Sequence, residues 1–448
     1  MEQFDLIVLG AGPGGYTAAL EAAKLGKTVA LVERKDLGGT CLNRGCIPTK
    51  ALLRAASVYR GARDGEALGI RVGDLVCDTA AMYQHVGQVT ATLRDGIAAL
   101  LQRGKVKVLV GTGRIEQSDL VSVDGCEYGA DRILVAVGSR PSLPPIPGLD
   151  LPGVVTSDGL LAGEGADAKR LVIIGGGVIG AEFAQIFSDL GREVTILEAL
   201  PRMLANMDRE LAQNLNMIFK KRGIAVHTGA AVTGITREKD GLLCHYTEKD
   251  AAAEVPADCV LVCTGRRPET EQLFAPQLAA ETLRGYLPVN GDFETAIPGV
   301  YAVGDVVAGG IQLAHAAENQ AKNAVRAMFG AVPGKDLSLI PGCVYTDPEI
   351  ASVGLTADDA KGAGRAVRVQ KSLTSANGKA LVEGAERGFS KLVFDGESGK
   401  LLGAQLMCPH AAEMIGGLTA AIAAGLTEAQ LARAIYPHPS VSEILNVE

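Results

Sequence analysis

Two glycine-rich turns constrain the fold of this chain more than any other feature. The first occupies residues 10–15 (GAGPGG) and the second residues 175–180 (GGGVIG). Each follows a short apolar run and opens a helical pattern, and the next apolar run ends in a carboxylate, Glu33 or Glu198. The second turn and the second carboxylate each lie 165 positions after the first. This common register predicts two copies of one strand–turn–helix–strand unit that binds a dinucleotide.

The residue types in each unit match that chemistry. Glycines let the backbone approach a pyrophosphate, which rests on the N-terminus of the helix. The glycines expected to do so are Gly10, Gly12, Gly15, Gly175, Gly177 and Gly180. Glu33 and Glu198 would accept the ribose hydroxyls. A carboxylate at 198 would repel a 2′-phosphate, which favours NAD over NADP, although Arg202 leaves the alternative open.

A second constraint is the stretch at residues 38–50, GGTCLNRGCIPTK. In a regular helix Cys41 and Cys46 would lie roughly 140° apart around the axis, too far apart for their sulfurs to meet. Gly45 and Pro48 supply a place to bend. Lys50 lies one turn after Cys46, where its ammonium would favour a thiolate. Two interpretations are open on these residues alone, a pair of buried core cysteines and a redox-active disulfide.

Composition excludes several functional classes. With 448 residues, 47% of them apolar, the chain is expected to form three or four domains. A net charge of −8 without a basic tract argues against nucleic-acid binding. The longest apolar run, residues 416–426, is shorter than the ~18 residues of a membrane span. Acids at positions 2 and 5 do not fit a signal peptide, so we expect a cytoplasmic protein.

The nine cysteines are read as reduced thiols of an intracellular protein. Cys259 and Cys263 lack the spacing and the histidines of a zinc site, and no metal is expected. Near the C-terminus, His438 could serve as a general base oriented by Glu443. The run from Ser440 to Glu443 is also a capping-box pattern, so a purely structural role for the glutamate is an equal alternative.

Taken together, these features resemble the flavoprotein disulfide reductases over almost the whole chain, and within them the dihydrolipoamide dehydrogenase branch. The redox segment of that family has the form GGxCxNxGCxPxK. Every fixed position is matched, namely by Gly38, Gly39, Cys41, Asn43, Gly45, Cys46, Pro48 and Lys50.

The resemblance implies an α/β fold with two Rossmann-like domains, for FAD and NAD, and a C-terminal α+β domain that forms a homodimer. Proline-rich or glycine-rich linkers place the boundaries. The expected domains are an FAD domain at 1–143, an NAD domain at 144–267, a central domain completing the FAD site at 268–335, and an interface domain at 336–448.

The resemblance also implies a role for each site residue. Cys41 would exchange with the substrate dithiol and Cys46 would face the flavin. His438, oriented by Glu443, would reach the partner subunit's Cys41, and Lys50 would pair with Glu182. The further residues expected at the FAD site are Gly39, Thr40, Lys50, Gly113, Gly138, Asp305 and Ala314, and Gly265 is expected at the NAD site.

The implied activity is oxidation of protein-bound dihydrolipoamide with reduction of NAD⁺. The implied partner is a separate lipoyl-bearing protein of a 2-oxo acid dehydrogenase or glycine cleavage system. Two rivals are another NAD(P)H-dependent flavin disulfide reductase and a non-catalytic flavin-binding assembly subunit. Tyr436 and Arg44 depart from the pattern of many relatives, which leaves the details of the substrate channel open.

Overall fold

The computed structural model describes residues 1–278, 280–332, 334–385 and 387–447. The first region carries a buried parallel strand followed at once by a helix with proline at its first turn, which favours helix initiation. Its elements are β1 (Glu2–Phe4), β2 (Leu6–Leu9), α1 (Pro13–Lys24), β3 (Val29–Glu33), α2 (Gly39–Arg44), α3 (Cys46–Arg63), α4 (Thr79–Arg103), β4 (Lys107–Val110), β5 (Gly113–Gln117), β6 (Leu120–Val123), β7 (Cys126–Ala130), β8 (Ile133–Val135) and β9 (Ser139–Pro141).

The second region repeats this pattern and then returns to the first sheet. Its elements are β10 (Val154–Thr156), α5 (Ser157–Leu161), β11 (Arg170–Ile174), α6 (Val178–Asp189), β12 (Glu193–Glu198), α7 (Arg209–Lys221), β13 (Ala225–Thr228), β14 (Ala230–Glu238), β15 (Gly241–Glu248), β16 (Ala251–Ala257), β17 (Cys259–Val262), β18 (Arg266–Pro268), β19 (Val300–Ala302) and α8 (Ala314–Met328).

The third region is built on antiparallel strands. Its elements are β20 (Gly342–Val344), β21 (Glu349–Gly354), α9 (Ala357–Gly362), β22 (Val367–Leu373), α10 (Gly378–Val382), β23 (Phe389–Asp395), β24 (Leu401–Cys408), α11 (Ala411–Ala423) and α12 (Glu428–Leu431). Short 3₁₀ turns lie at Gly65–Leu68, Pro276–Leu278, Gly304–Val306, Thr374–Ala376 and Val441–Leu445.

Two parallel sheets carry the two predicted units. The first has the order β19-β8-β2-β3-β4 and the second β10-β17-β11-β12-β13, so the inner order β8-β2-β3-β4 recurs as β17-β11-β12-β13. Each unit also has a small sheet beside it, β1-β7-β6-β5 in the first and β14-β15-β16 in the second. Strand β19 lies far along the chain yet completes the first sheet by pairing with β8. The predicted α/β fold with two dinucleotide-binding units is confirmed.

The short strands that leave the two units meet each other. Strand β9 pairs antiparallel with β18, with Ser139 opposite Pro268 and Pro141 opposite Arg266. Because the parallel strands β8 and β17 end just before these segments, the carboxyl-terminal edges of both sheets face one region. Ligands of open α/β sheets bind at that edge.

The C-terminal sheet has the order β20-β21-β24-β23-β22 and is antiparallel throughout. The sequence predicts a helix from Ala411 that ends at Gly425, and the structure has α11 there. The capping-box pattern at residues 427–430 predicts a second helix that stops near Tyr436, because Pro437 follows. This second boundary is wrong, since α12 ends at Leu431. After it, Arg433 and Ala434 donate to carbonyls three residues back, so the chain tightens and leaves the α-helix before the proline. In the described part of the chain, no helix has the length and apolarity needed to cross a bilayer.

Candidate active site

The redox segment is a helix broken between its two cysteines. Cys41 lies in α2 and Cys46 opens α3, and Gly45 between them has φ −155° and ψ −113°. A Cβ on Gly45 would lie 3.0 Å from the carbonyl oxygen of Thr40 and 3.3 Å from the Cα of Cys41. The break brings the two thiols within hydrogen-bonding reach of each other. Both are free thiols in this structure, so the disulfide between them stays a prediction.

The same segment is anchored to the first glycine-rich turn. Gly38 (φ 93°) and Gly39 (φ 60°) both adopt a left-handed conformation. A Cβ on Gly39 would lie 2.5 Å from the Cα of Gly12. The Gly38 N–H donates to the Ala11 carbonyl at 2.8 Å, and Asn43 Nδ2 donates to the Gly39 carbonyl at 2.9 Å. These contacts explain in physical terms why glycine and asparagine occupy their places in the pattern.

Lys50 and Glu182 form an ion pair between the redox helix and the helix of the second unit. Lys50 Nζ lies 3.1 Å from Glu182 Oε1 and 2.9 Å from Oε2. The carboxylate is buried, with its side chain 4% exposed. It also accepts a hydrogen bond at 3.0 Å from the Tyr345 backbone N–H, and the Tyr345 ring lies 4.4 Å below the ammonium. Three regions of the chain therefore meet at this carboxylate.

The two thiols differ in their electrostatic surroundings. A hydrogen bond from Cys41 and the nearby Lys50 ammonium lower the pKa of Cys46 to about 7, against the opposing effects of burial and of Glu182. The pKa of Cys41 is raised, because its hydrogen bond with Cys46, its burial and the carboxylate of Glu318 all disfavour its thiolate. In the dithiol, the negative charge therefore belongs on Cys46.

The two glycine-rich turns have the same internal geometry. A Cβ on Gly15 would lie 1.8 Å from the Gly10 carbonyl oxygen, and one on Gly180 would lie 2.1 Å from that of Gly175. These glycines are required by packing within the turn. A Cβ on Gly177, in contrast, would meet no protein atom within 4 Å. Its small size is explained by a ligand that approaches the backbone, as a pyrophosphate does.

The two strand-end carboxylates are held alike. Glu33 accepts hydrogen bonds from the backbone N–H of Ala11 at 2.8 Å and of Lys35 at 2.9 Å. Glu198 accepts from the N–H of Gly176 and from that of Leu200 at 2.7 Å. The two donors to Glu198 lie 165 positions after the two donors to Glu33. The sequence repeat therefore extends to individual hydrogen bonds.

Arg202 does not occupy the place of a 2′-phosphate ligand. Its guanidinium donates to the carbonyls of Met207 at 2.7 Å and Ala205 within its own loop. These bonds hold the loop together, while the arginine itself stays partly exposed to solvent. The loop therefore leaves Glu198 as the charged side chain at the end of β12, in keeping with a free 2′-hydroxyl.

One cavity of about 1680 Å³ connects both units with the redox segment. The predicted site residues that line it are Gly10, Gly12, Glu33, Gly39, Thr40, Cys41, Cys46, Lys50, Gly138, Gly175, Gly177, Glu182, Glu198, Gly265, Asp305 and Ala314. Gly113 lies elsewhere, at the start of β5, where a Cβ would be 2.7 Å from Leu9 Cδ2. The structure gives Gly113 a packing contact, and its place in the FAD site stays a prediction.

His438 lies apart from this cavity, exposed at the C-terminus with its side chain 82% accessible. Its Nδ1 is 2.9 Å from Glu443 Oε1, while Glu443 Oε2 accepts from the Ser440 backbone N–H at 2.9 Å. The two roles considered for Glu443 are therefore compatible, one for each carboxylate oxygen. The pair leaves Nε2 of His438 directed away from its own carboxylate partner and able to meet another molecule.

Comparison with known proteins identifies the family. The family model for pyridine nucleotide-disulphide oxidoreductases matches residues 4–321, and the model for the dimerisation domain of the same family matches residues 340–448. The chain belongs to the pyridine nucleotide-disulphide oxidoreductases. The match to the dimerisation domain supports a homodimer.

Individual relatives of this oxidoreductase cover nearly its full length. A dihydrolipoyl dehydrogenase of Chlorobaculum tepidum is 40% identical over 98% of this chain and 95% of that protein. One of Thermus scotoductus is 39% identical over 99% and 96%. Among solved structures, the Cu(II) complex of the HOCl-induced flavoprotein disulfide reductase RclA from Escherichia coli has a TM-score of 0.87 at 30% identity, covering 99% of this chain and 98% of that one.

The residues of this oxidoreductase fit the FAD and NAD that its family uses. The first unit offers the open Gly12, the carboxylate of Glu33 and, beyond them, Asp305 in the cavity wall. Asp305 Oδ2 accepts from the Ser139 hydroxyl at 2.6 Å, which in turn accepts from Arg266 Nε at 2.8 Å. The second unit offers the corresponding glycine and carboxylate for NAD.

Several cavity residues of the oxidoreductase have no signal in the sequence. Tyr345 contacts the Lys50–Glu182 pair through its backbone and its ring, from a strand exit almost 300 residues after the redox helix. Ser139 and Arg266 hold Asp305 from the two linkers. The linkers were recognisable as boundaries, but only their pairing as β9 and β18 brings these side chains together.

Proposed function

We propose that this chain oxidises the dihydrolipoamide of a lipoyl-bearing protein and passes the electrons to NAD⁺. The observation that carries the proposal is the position of the Cys41–Cys46 dithiol, in one cavity with two complete dinucleotide-binding turns. The full-length similarity to dihydrolipoyl dehydrogenases supports the choice of substrate. The proposed partner is the lipoyl carrier of a 2-oxo acid dehydrogenase or glycine cleavage system.

The first half of the reaction is thiol–disulfide exchange at the redox segment. His438 Nε2 of one subunit takes a proton from a dihydrolipoamide thiol, and Glu443 holds the ring and stabilises the imidazolium. The resulting thiolate attacks Sγ of Cys41 in the Cys41–Cys46 disulfide of the partner subunit, and Cys46 leaves as a thiolate. The second lipoyl sulfur then displaces Cys41 from the mixed disulfide, and its proton passes to the Cys41 sulfur. This step releases cyclic lipoamide and leaves Cys41 as a thiol, Cys46 as a thiolate and the first proton on His438.

The side chains around Cys46 favour its role as the leaving group in the exchange. Its lowered pKa makes it the better leaving group in the exchange, since a thiol of lower pKa leaves faster. Lys50, held by the buried Glu182, keeps a positive charge beside the departing sulfur. When bound, FAD would accept the electron pair of the dithiol, and NAD would accept it in turn as a hydride.

The test is steady-state turnover with dihydrolipoamide and NAD⁺, compared with NADP⁺. We expect turnover with NAD⁺ in the wild type and its loss in Cys46→Ser with FAD still bound. Unimpaired turnover of that variant would contradict the scheme. A matched control is Cys126→Ser, because Cys126 is an exposed cysteine on β7 and lies outside the cavity.

The rival disulfide reductases make a different kinetic prediction. If NADPH with glutathione disulfide gave a higher kcat/KM than NADH with lipoamide, the proposed substrate would be wrong. Purified protein without a flavin spectrum would instead favour an assembly subunit. NAD is favoured over NADP because the Arg202 guanidinium is hydrogen-bonded within its own loop and Glu198 presents a carboxylate to the ribose.

A further inference from the structure

Two lysines face each other across neighbouring strands of the C-terminal sheet. Lys371 on β22 is directly opposite Lys391 on β23. Like charges in this position repel and destabilise a sheet. Lys391 is moreover only 8% exposed, so water cannot compensate its ammonium. This arrangement requires carboxylates from elsewhere in the molecule.

The carboxylates come from the NAD unit. Lys391 Nζ lies 2.8 Å from Asp208 Oδ1, 2.7 Å from its Oδ2 and 3.2 Å from Glu210 Oε2. Lys371 pairs with the other oxygen of Glu210. Asp208 is itself 6% exposed and is the N-cap of α7, accepting from the Glu210 N–H at 2.8 Å. A buried charge of the dimerisation domain is thus neutralised at the first turn of a helix in the NAD unit.

Asp208 ends the loop that covers the second glycine-rich turn. This loop, residues 199–207, contributes Asn206 and Met207 to the cavity wall, directly before Asp208. Leu204 in its middle donates its N–H to the Gly176 carbonyl at 2.9 Å. Gly176 in turn donates to Glu198, the proposed ribose ligand. A continuous set of contacts therefore runs from the C-terminal sheet to the NAD ribose site.

We propose that Lys391 is a positioning residue for NAD⁺: its ion pair with Asp208 lets the dimerisation domain hold the 199–207 loop in the conformation that binds the adenosine half of the coenzyme. The inference rests on the proposed assignment of NAD to the second unit. It adds that the affinity of the second unit for NAD⁺ depends in part on the dimerisation domain. Dihydrolipoamide oxidation by the redox segment does not depend on the pair.

The decisive variants separate charge from folding. Lys391→Met keeps the length of the side chain and removes its charge. Asp208→Asn removes the opposite charge but preserves the helix cap, because asparagine caps as well as aspartate. We expect each variant to raise the dissociation constant of NAD⁺ and its KM by about tenfold, within the range of coupling between sites. The rate of flavin reduction by dihydrolipoamide should be unchanged.

The measurements are calorimetric titration of the FAD holoenzyme with NAD⁺, steady-state kinetics, and stopped-flow reduction by dihydrolipoamide. Because both variants break one interaction, the double variant should bind NAD⁺ no more weakly than either single variant. Lys391→Arg should restore most of the affinity. Lys371→Met, which removes only the more exposed contact to Glu210, is the control and should stay within about twofold of the wild type.

Three results would overturn the inference. They are unchanged NAD⁺ binding in both variants, additive losses in the double variant, and an equal loss in the dihydrolipoamide half-reaction, which would indicate general misfolding. Failure of the proposed function is distinguishable from these, because wild-type protein would then not reduce NAD⁺ at all.

Discussion

Opposite shifts in the pKa of Cys46 are expected when the two members of the buried ion pair are changed in turn. Cys46 has a pKa of about 7, lowered from an ordinary 9.0, with the hydrogen bond from Cys41 as the largest favourable contribution and Lys50 as the next. Glu182 acts in the other direction. Lys50→Met should therefore raise the pKa of Cys46, and Glu182→Gln should lower it further.

The size of the effect follows from the ionised fraction at pH 7. A pKa of about 7 leaves roughly half of the Cys46 thiols ionised, whereas a full return to 9.0 would leave about 1%. Lys50→Met keeps the hydrogen bond from Cys41, so its thiolate fraction should fall between these two limits. Glu182→Gln should bring the fraction above one half. The double variant, which removes both charges, should titrate between the single variants.

The assay is a titration from pH 5 to 10 with two readouts. One is the long-wavelength absorbance that a thiolate beside oxidised flavin produces in the two-electron-reduced holoenzyme. The other is the rate of alkylation by iodoacetamide, which follows the thiolate and does not require the flavin. In Lys50→Met the midpoint should move to higher pH, and in Glu182→Gln to lower pH. Lys379→Met, at a surface lysine paired with Glu383, should leave it unchanged.

A shift of both variants in the same direction would refute this reasoning, because the two groups carry opposite charges. Loss of the fold in Lys50→Met would be recognised by thermal unfolding, since that change leaves the Glu182 carboxylate buried with the Tyr345 N–H as its remaining donor. The double variant removes this uncompensated charge. It should recover the stability while the pKa of Cys46 remains above that of the wild type.

Four further substitutions test the geometry of the site. Gly45→Ala should displace Cys41 through the 3.3 Å contact with its Cα and lower turnover at least tenfold with FAD retained, measured as activity per bound flavin. Glu443→Gln should slow flavin reduction by dihydrolipoamide by about 10²-fold in stopped flow while reduction by NADH is unchanged. Gly180→Ala should cost about 2 kcal/mol in unfolding experiments, whereas Gly177→Ala should keep the stability and weaken NAD⁺ binding by calorimetry.

The repeated unit was predictable because its determinants are local. Two glycine turns in register, each between an apolar strand and a helix, predicted two copies of one strand–turn–helix–strand unit. The structure shows these copies as two parallel sheets that share their inner strand order. The bend at Gly45 was predictable for the same reason. Strand β19 was not placed in the first sheet by any local signal, because its pairing with β8 joins residues more than 160 positions apart.

The contacts around the redox centre depend on tertiary packing and escaped prediction. Nothing in the residues near Tyr345 indicates that its N–H meets Glu182, since that contact requires the C-terminal sheet to dock on α6. The dual use of Glu443 was posed as a choice between two roles, because a sequence pattern cannot show that the two oxygens of one carboxylate have different partners. The sequence therefore indicated the reacting groups and their carboxylate partners, and the structure added the Tyr345 N–H that binds Glu182.

The two cysteines ionise differently because their neighbours come from different parts of the chain. A helix break at Gly45 gives Cys41 and Cys46 different neighbours, although they are five residues apart. Cys46 has Lys50, which is held through Glu182 by the Tyr345 backbone of the third region. Because the dimerisation domain contributes that donor, a change in its docking would alter the charge beside Cys46. The ionisation of the redox thiol thus depends on a domain that contributes no cysteine to the exchange.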